Sequence, residues 1–135
     1  MASMRHERRI NATVQTVWEI VQHPASIAEW FPGIVSCTVD GPHRVITTAT
    51  GMDIAEEILT IDPVVHRFAY RITSAPFQFH LGTIDVIEIT AHDSLCVYST
   101  TAEPDVFALL VSGGTAGALD EIKRQAEATE RGRGG

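Results

Sequence analysis

Residues 94–126 read SLCVYSTTAEPDVFALLVSGGTAGALDEIKRQA. The opening third follows the turn His92-Asp93-Ser94 and reads as a last strand, residues 94–102. Pro104 then stands where a helix can begin, because its missing amide would go unpaired in the first turn anyway. Beyond it, Phe107, Leu110, Val111, Gly114, Ala118 and Ile122 fall on one stripe at helical spacing. The stretch predicts one long helix to about Thr129, roughly 38 Å at 1.5 Å per residue. Its middle holds Gly113, Gly114 and Gly117. Each glycine inside a helix costs about 1 kcal/mol relative to alanine, so three in five residues need a reason. Close helix–sheet contact, room for a guest molecule, and a kink are equally open readings.

Upstream of this stretch the pattern is mostly period two. Residues 34–40, 43–50, 53–62, 66–73 and 78–91 read as strands, separated by Asp40-Gly41-Pro42, Gly51, Asp62-Pro63 and Ser74-Ala75-Pro76. Turns at hairpin spacing predict an antiparallel sheet. Before Gly33 the period is helical. Val14, Val17, Trp18 and Val21 share one face of a helix over 13–22, capped by Asn11 or Thr13 and ended by Pro24. A second short helix covers 25–30, and residues 5–11 form a first strand. The order is strand, two short helices, six strands and one long helix. A helix segregated from a continuous antiparallel sheet is the α+β class. We expect one domain over 5–129, with 1–4 and 130–135 as flexible termini.

Strand alternation predicts which side chains face the core. Phe68, Tyr70 and Ile72 share a face opposite Arg67 and Arg71, and that face should be inward. Over 78–90 the odd set, Phe79, Leu81, Thr83, Asp85, Ile87 and Ile89, is the more apolar at both ends and is placed inward. Residues 53–62 are ambiguous, and either parity puts Glu56 or Glu57 inside.

Charge and composition exclude several functions. The net charge is −7, with Lys123 the one lysine among scattered arginines. Nucleic-acid binding needs phosphate neutralisation by a basic stripe, so it is not expected. An acidic membrane surface would repel the chain, and no apolar run approaches the 18 or more residues of a membrane span. Residues 1–9 lack the apolar core of a secretory signal. Cys37 and Cys96 form no metal or redox spacing. A cytoplasmic setting without metal or cofactor is the expectation. His6, His23, His43, His66, His80 and His92 read as surface residues, in turns or on the outer face. There is no GxSxG, HExxH or phosphate loop.

The chain resembles the START-like helix-grip (SRPBCC) superfamily, in particular its polyketide cyclase/dehydrase and lipid-transport branch. The matching residues are Ile10-Asn11-Ala12-Thr13 with Val17-Trp18, then Glu29-Trp30-Phe31-Pro32-Gly33. Glu56, Asp62, Tyr70, Glu103-Pro104 and the helix ending Leu119 to Lys123 follow in order. The similarity spans about residues 5–126. It departs at Phe31, where a polar residue is common, and at Thr13, where proline is usual. The resemblance implies a Bet v 1-like fold: a seven-stranded antiparallel sheet wrapped around the C-terminal helix, enclosing an elongated cavity. It implies Glu56, Tyr70 and Ile72 lining that cavity from the sheet, and Leu110, Gly114 and Ala118 from the helix. Glu56 is then the inward glutamate.

These readings define candidate sites. Ligand contacts are expected from Trp30, Phe31, Ile54, Glu56, Phe68, Tyr70, Ile72, Phe79, Leu81, Thr83, Phe107, Leu110, Val111, Gly114 and Ala118. Trp30, Phe31, Pro63 and Phe77 form either an aromatic gate or a hydrophobic plug. A carboxyl in an apolar cavity resists ionisation and can act as acid or base near neutral pH. Glu56 and Asp85, with Tyr70 as donor, are the candidate catalytic groups for cyclisation or dehydration. The plainer alternative is that Glu56 pairs with Arg44 or another arginine. The main expectation is binding of a hydrophobic small molecule, a lipid, polyketide or aromatic compound. An enzyme of the cyclase/dehydratase kind and a protein-interaction module are the alternatives. A homodimer through a sheet edge or the Trp30 loop stays open.

Overall fold

A computed structural model describes residues 1–134. Seven strands form one antiparallel sheet: β1 (Ala2–Ile10), β2 (Ile34–Asp40), β3 (His43–Thr48), β4 (Asp53–Asp62), β5 (Arg67–Ile72), β6 (Phe79–Glu88) and β7 (Ser94–Glu103). Their spatial order is β1-β7-β6-β5-β4-β3-β2, so β1 and β2 are the edges. Every neighbouring pair except β1–β7 is consecutive in sequence, which is what short turns allow. Between β1 and β2 come α1 (Val14–Val21), a 3-10 turn at Pro24–Ser26 and α2 (Ile27–Trp30). The long helix α3 covers Asp105–Gly134. This is the helix-grip architecture, with α3 lying on the concave face of the sheet. No helix among the described residues is long and apolar enough to cross a membrane.

Local chemistry accounts for the boundaries. Thr13 caps α1, its side chain accepting from the Thr16 amide at 3.1 Å. Trp18, Ile10, Phe68, Ile84, Tyr98, Leu119 and Ile122 are fully buried and join the helices to the sheet. One residue of β4, Leu59, is extra relative to β5 and stands 44% exposed, a bulge that bends the strand.

Three expectations need correcting. First, the inward face of β6 is the even set: His80, Gly82, Ile84 and Val86 are buried. The odd set, Phe79, Leu81, Thr83, Asp85 and Ile87, faces out, with Phe79 42% and Ile87 48% exposed. The outer apolar ends of the strand mislead because the central inward position must be small. Second, Ala2 to Met4 belong to β1 and residues 130–134 to α3, where flexible termini are expected. Ala2 pairs with Ala102, and α3 continues to Gly134, its last turn held against α1 by a bond from Arg133 to the Thr16 hydroxyl at 2.7 Å. Gly135 lies outside the described residues. Third, His80 is buried rather than on the surface.

The glycines of α3 have a contact explanation. The helix is unbroken across them. A Cβ on Gly114 would lie 2.8 Å from the Phe31 ring, and one on Gly117 would lie 3.4 Å from Pro32. The small stripe therefore receives the loop after α2, not the sheet.

Candidate functional site

Between the sheet and α3 lies a cavity of about 200 Å³. Ile27, Phe31 and Ile34 wall one side, Ile46, Ile54 and Ile72 the sheet side, and Leu110, Val111 and Gly114 the helix side. Thr48, Glu56 and Tyr70 are the polar residues of its wall. An apolar cavity of roughly 150 Å³ is enough to hold a benzene ring. The volume is therefore of the order that holds one ring.

Glu56 is 4% exposed and sits directly opposite Arg44 across the β3–β4 ladder. The Arg44 Nε donates to Glu56 Oε1 at 2.8 Å. Arg44 Nη2 also lies 2.8 Å from that oxygen, close enough for attraction but poorly aligned for a second bond. Arg44 Nη1 donates to the Pro24 carbonyl at 2.8 Å. The guanidinium carbon lies 4.8 Å from the Tyr70 ring centroid and 5.4 Å from that of Phe68. Cation–π attraction over two rings helps keep this charge out of water. Burial pushes the Glu56 carboxyl up, and the charge and hydrogen bond of Arg44 pull it back.

Tyr70 lies on β5, opposite Gly82 of β6. A Cβ on Gly82 would sit 2.6 Å from Tyr70 Cζ and 2.9 Å from its hydroxyl oxygen. The ring therefore lies flat across β6, in space only a glycine leaves, and its hydroxyl bonds that of Tyr98 on β7. Burial pushes both phenols up, so both keep their protons. Next along β6, His80 Nδ1 accepts from the Ile72 amide at 2.9 Å. That bond continues β5–β6 contact past Tyr70, the last residue of β5 in register with β6. It also fixes Nδ1 as unprotonated, and burial pushes the imidazole down to about 4. Burial holds the Cys96 thiol up at about 12, which leaves it an inert packing group.

The structure places the residues singled out in the sequence in several different environments. Phe31, Ile54, Glu56, Tyr70, Ile72, Leu110, Val111 and Gly114 line the cavity. Trp30, Phe68 and Ala118 are buried behind it: Trp30 packs on Phe31 and Tyr98, and Phe68 lies under Arg44. Phe107 packs instead on Phe77, with centroids 5.3 Å apart. Phe79, Leu81, Thr83 and Asp85 are on the opposite face, and Asp85 Oδ1 accepts from Arg67 Nε at 2.7 Å. Glu56 and Asp85 therefore do not form a pair. Pro63 is exposed in the β4–β5 turn and lines no part of the cavity. Sequence reasoning passed over Tyr98 and His80 and gave Arg44 only as an alternative partner. Gly82, an isolated glycine within a strand, was the available signal that another group approaches closely there.

Comparison with known proteins agrees with this geometry. The profile of the family described as polyketide cyclase / dehydrase and lipid transport matches residues 1–128. The chain belongs to that family. Among solved structures, this family member is similar to the protein XoxI from Bacillus cereus, at 24% identity and a TM-score of 0.88, covering 96% of this chain and 99% of that one. An uncharacterised protein from Bacillus thuringiensis is 25% identical with a TM-score of 0.84, covering 91% and 97%. Norcoclaurine synthase from Thalictrum flavum shares the fold at 17% identity and a TM-score of 0.74, covering 91% and 84%. No curated protein matches the chain.

Proposed function

We propose that this family member binds a small, largely apolar molecule in the cavity between its sheet and α3. The observation that carries the reading is the chamber itself: about 200 Å³, walled mainly by Ile, Phe, Leu and Val, with Thr48, Glu56 and Tyr70 as its polar residues. Ligand sites of this kind are mostly apolar with a few placed polar atoms that fix orientation. Family membership supports a ligand-binding or cyclase role. The cyclase reading needs a second acid–base group beside Glu56, and Asp85 is turned to the other face and held by Arg67. Glu56 is itself engaged by Arg44, so orientation of a guest suits it better than proton transfer. The protein-interaction reading expects no such chamber. A volume of this order suits a guest of about one ring with small substituents.

The test is a thermal-shift and calorimetric screen of one-ring, two-ring and long-chain lipophiles. One-ring compounds should raise the melting temperature, and Val111→Phe, which adds a ring to the helix wall of the chamber, should abolish the effect. Absence of any response across the series, or equal response in a folded Val111→Phe, would overturn the proposal.

A further inference from the structure

The hydrogen bond between Tyr70 and Tyr98 leaves one proton unassigned, and the surroundings decide where it points. Each hydroxyl carries one proton, and one bond joins the two oxygens. Neither oxygen has another hydrogen-bond partner among the described residues. Tyr98 is 0% exposed, with Trp30, Phe31 and Tyr70 rings packed edge-on around it. It does not line the chamber, and Tyr70 does. If Tyr70 donated, the spare proton would be that of Tyr98, stranded among aromatic rings with its desolvation unrepaid. If Tyr98 donates, the spare proton is that of Tyr70, a residue of the cavity wall.

Building on the proposed small-molecule reading, we propose that Tyr98 is a positioning residue, donating to the Tyr70 hydroxyl so that the Tyr70 proton is presented to the chamber. The ligand class follows: an uncharged, one-ring-sized molecule bearing an oxygen acceptor such as a hydroxyl or carbonyl. Gly82 is part of the device, because any side chain there would lift the Tyr70 ring off β6 and away from Tyr98.

Phenol and toluene have nearly the same shape and differ in that oxygen, so their affinity ratio reads the device directly. Calorimetry on the full chain should show phenol binding about two- to tenfold tighter than toluene, the range one net hydrogen bond gives. In Tyr70→Phe the preference for phenol should be lost or reversed, because the phenol hydroxyl then leaves water without a partner. In Tyr98→Phe, which removes one buried oxygen, the ratio of phenol to toluene affinity should fall two- to threefold. A merely structural Tyr98 would shift the melting temperature but not the ratio. Equal binding of the two probes to the unaltered protein, a preference surviving in Tyr70→Phe, or an unchanged ratio in Tyr98→Phe each overturns this inference while leaving the cavity reading standing. Failure of both probes to bind overturns both.

Discussion

Two arginine–carboxylate pairs occupy equivalent positions in this sheet and live in opposite environments. Arg44 faces Glu56 across the β3–β4 ladder, and Arg67 faces Asp85 across β5–β6. Their closest contacts are 2.8 and 2.7 Å. The first pair has side chains 1% and 5% exposed, the second 53% and 22%. Distance therefore says nothing about consequence; the face of the sheet does. A solvated pair adds little, because water already stabilises both charges. A buried pair is conditional: each partner is costly without the other.

Breaking each pair separates these cases. Arg44→Met strands a buried carboxyl and should cost about 3–5 kcal/mol in urea denaturation. Arg67→Met should cost less than about 1 kcal/mol in the same assay. The double change Arg44→Met with Glu56→Leu should recover most of the loss, since two apolar groups replace both charges. A recovery below one third would mean that the pair also holds the Pro24 carbonyl and the loop beyond it.

The contrast sharpens with acid. His80, on the same inner face as Glu56, is pushed down to about 4 from 6.5 in the folded chain. Between those values the unfolded chain binds a proton that the folded one refuses. Its contribution is complete above pH 6.5 and is lost as pH falls toward 4, by about 3 kcal/mol in all. Denaturation midpoints of His80→Gln should be flatter than those of the unaltered protein across that window.

Smaller effects come from the glycines. Gly82→Ala puts a methyl within 2.6 Å of the Tyr70 ring. It should cost about 1–3 kcal/mol and weaken one-ring ligands, because a ring in a packed core cannot move freely. Gly113 has nothing within 4 Å of its would-be Cβ. Gly113→Ala should therefore stabilise by about 0.5–1 kcal/mol. Gly114→Ala gains the same helix preference but meets Phe31 at 2.8 Å, so the two melting temperatures should diverge.

Punctuation made most of the fold legible. Asp40-Gly41-Pro42, Gly51 and Asp62-Pro63 bound β2, β3 and β4 where the structure has them, since these residues suit turns and interrupt ladders. Facing was legible on β5, where Phe68, Tyr70 and Ile72 alternate with Arg67, Ala69 and Arg71. It failed on β6. There the inward row holds a histidine and a glycine because a ring from the neighbouring strand fills their space. That row looks polar in sequence, while Phe79 and Leu81 look like core. Glu56 came from the family resemblance, as its strand reads equally well either way. Tyr98 was out of reach, because its role depends on crossing a strand that separates it from Tyr70.

The pairing of β1 with β7 carries one more consequence. Ile10 bonds against Ser94, and Ala2 against Ala102. During synthesis the first ribbon has no neighbour until almost the whole remaining sheet has left the ribosome. Its open amides must wait, and closure of that long loop comes late and slowly. Chaperone demand should therefore fall on this early segment rather than on the hairpins that follow it.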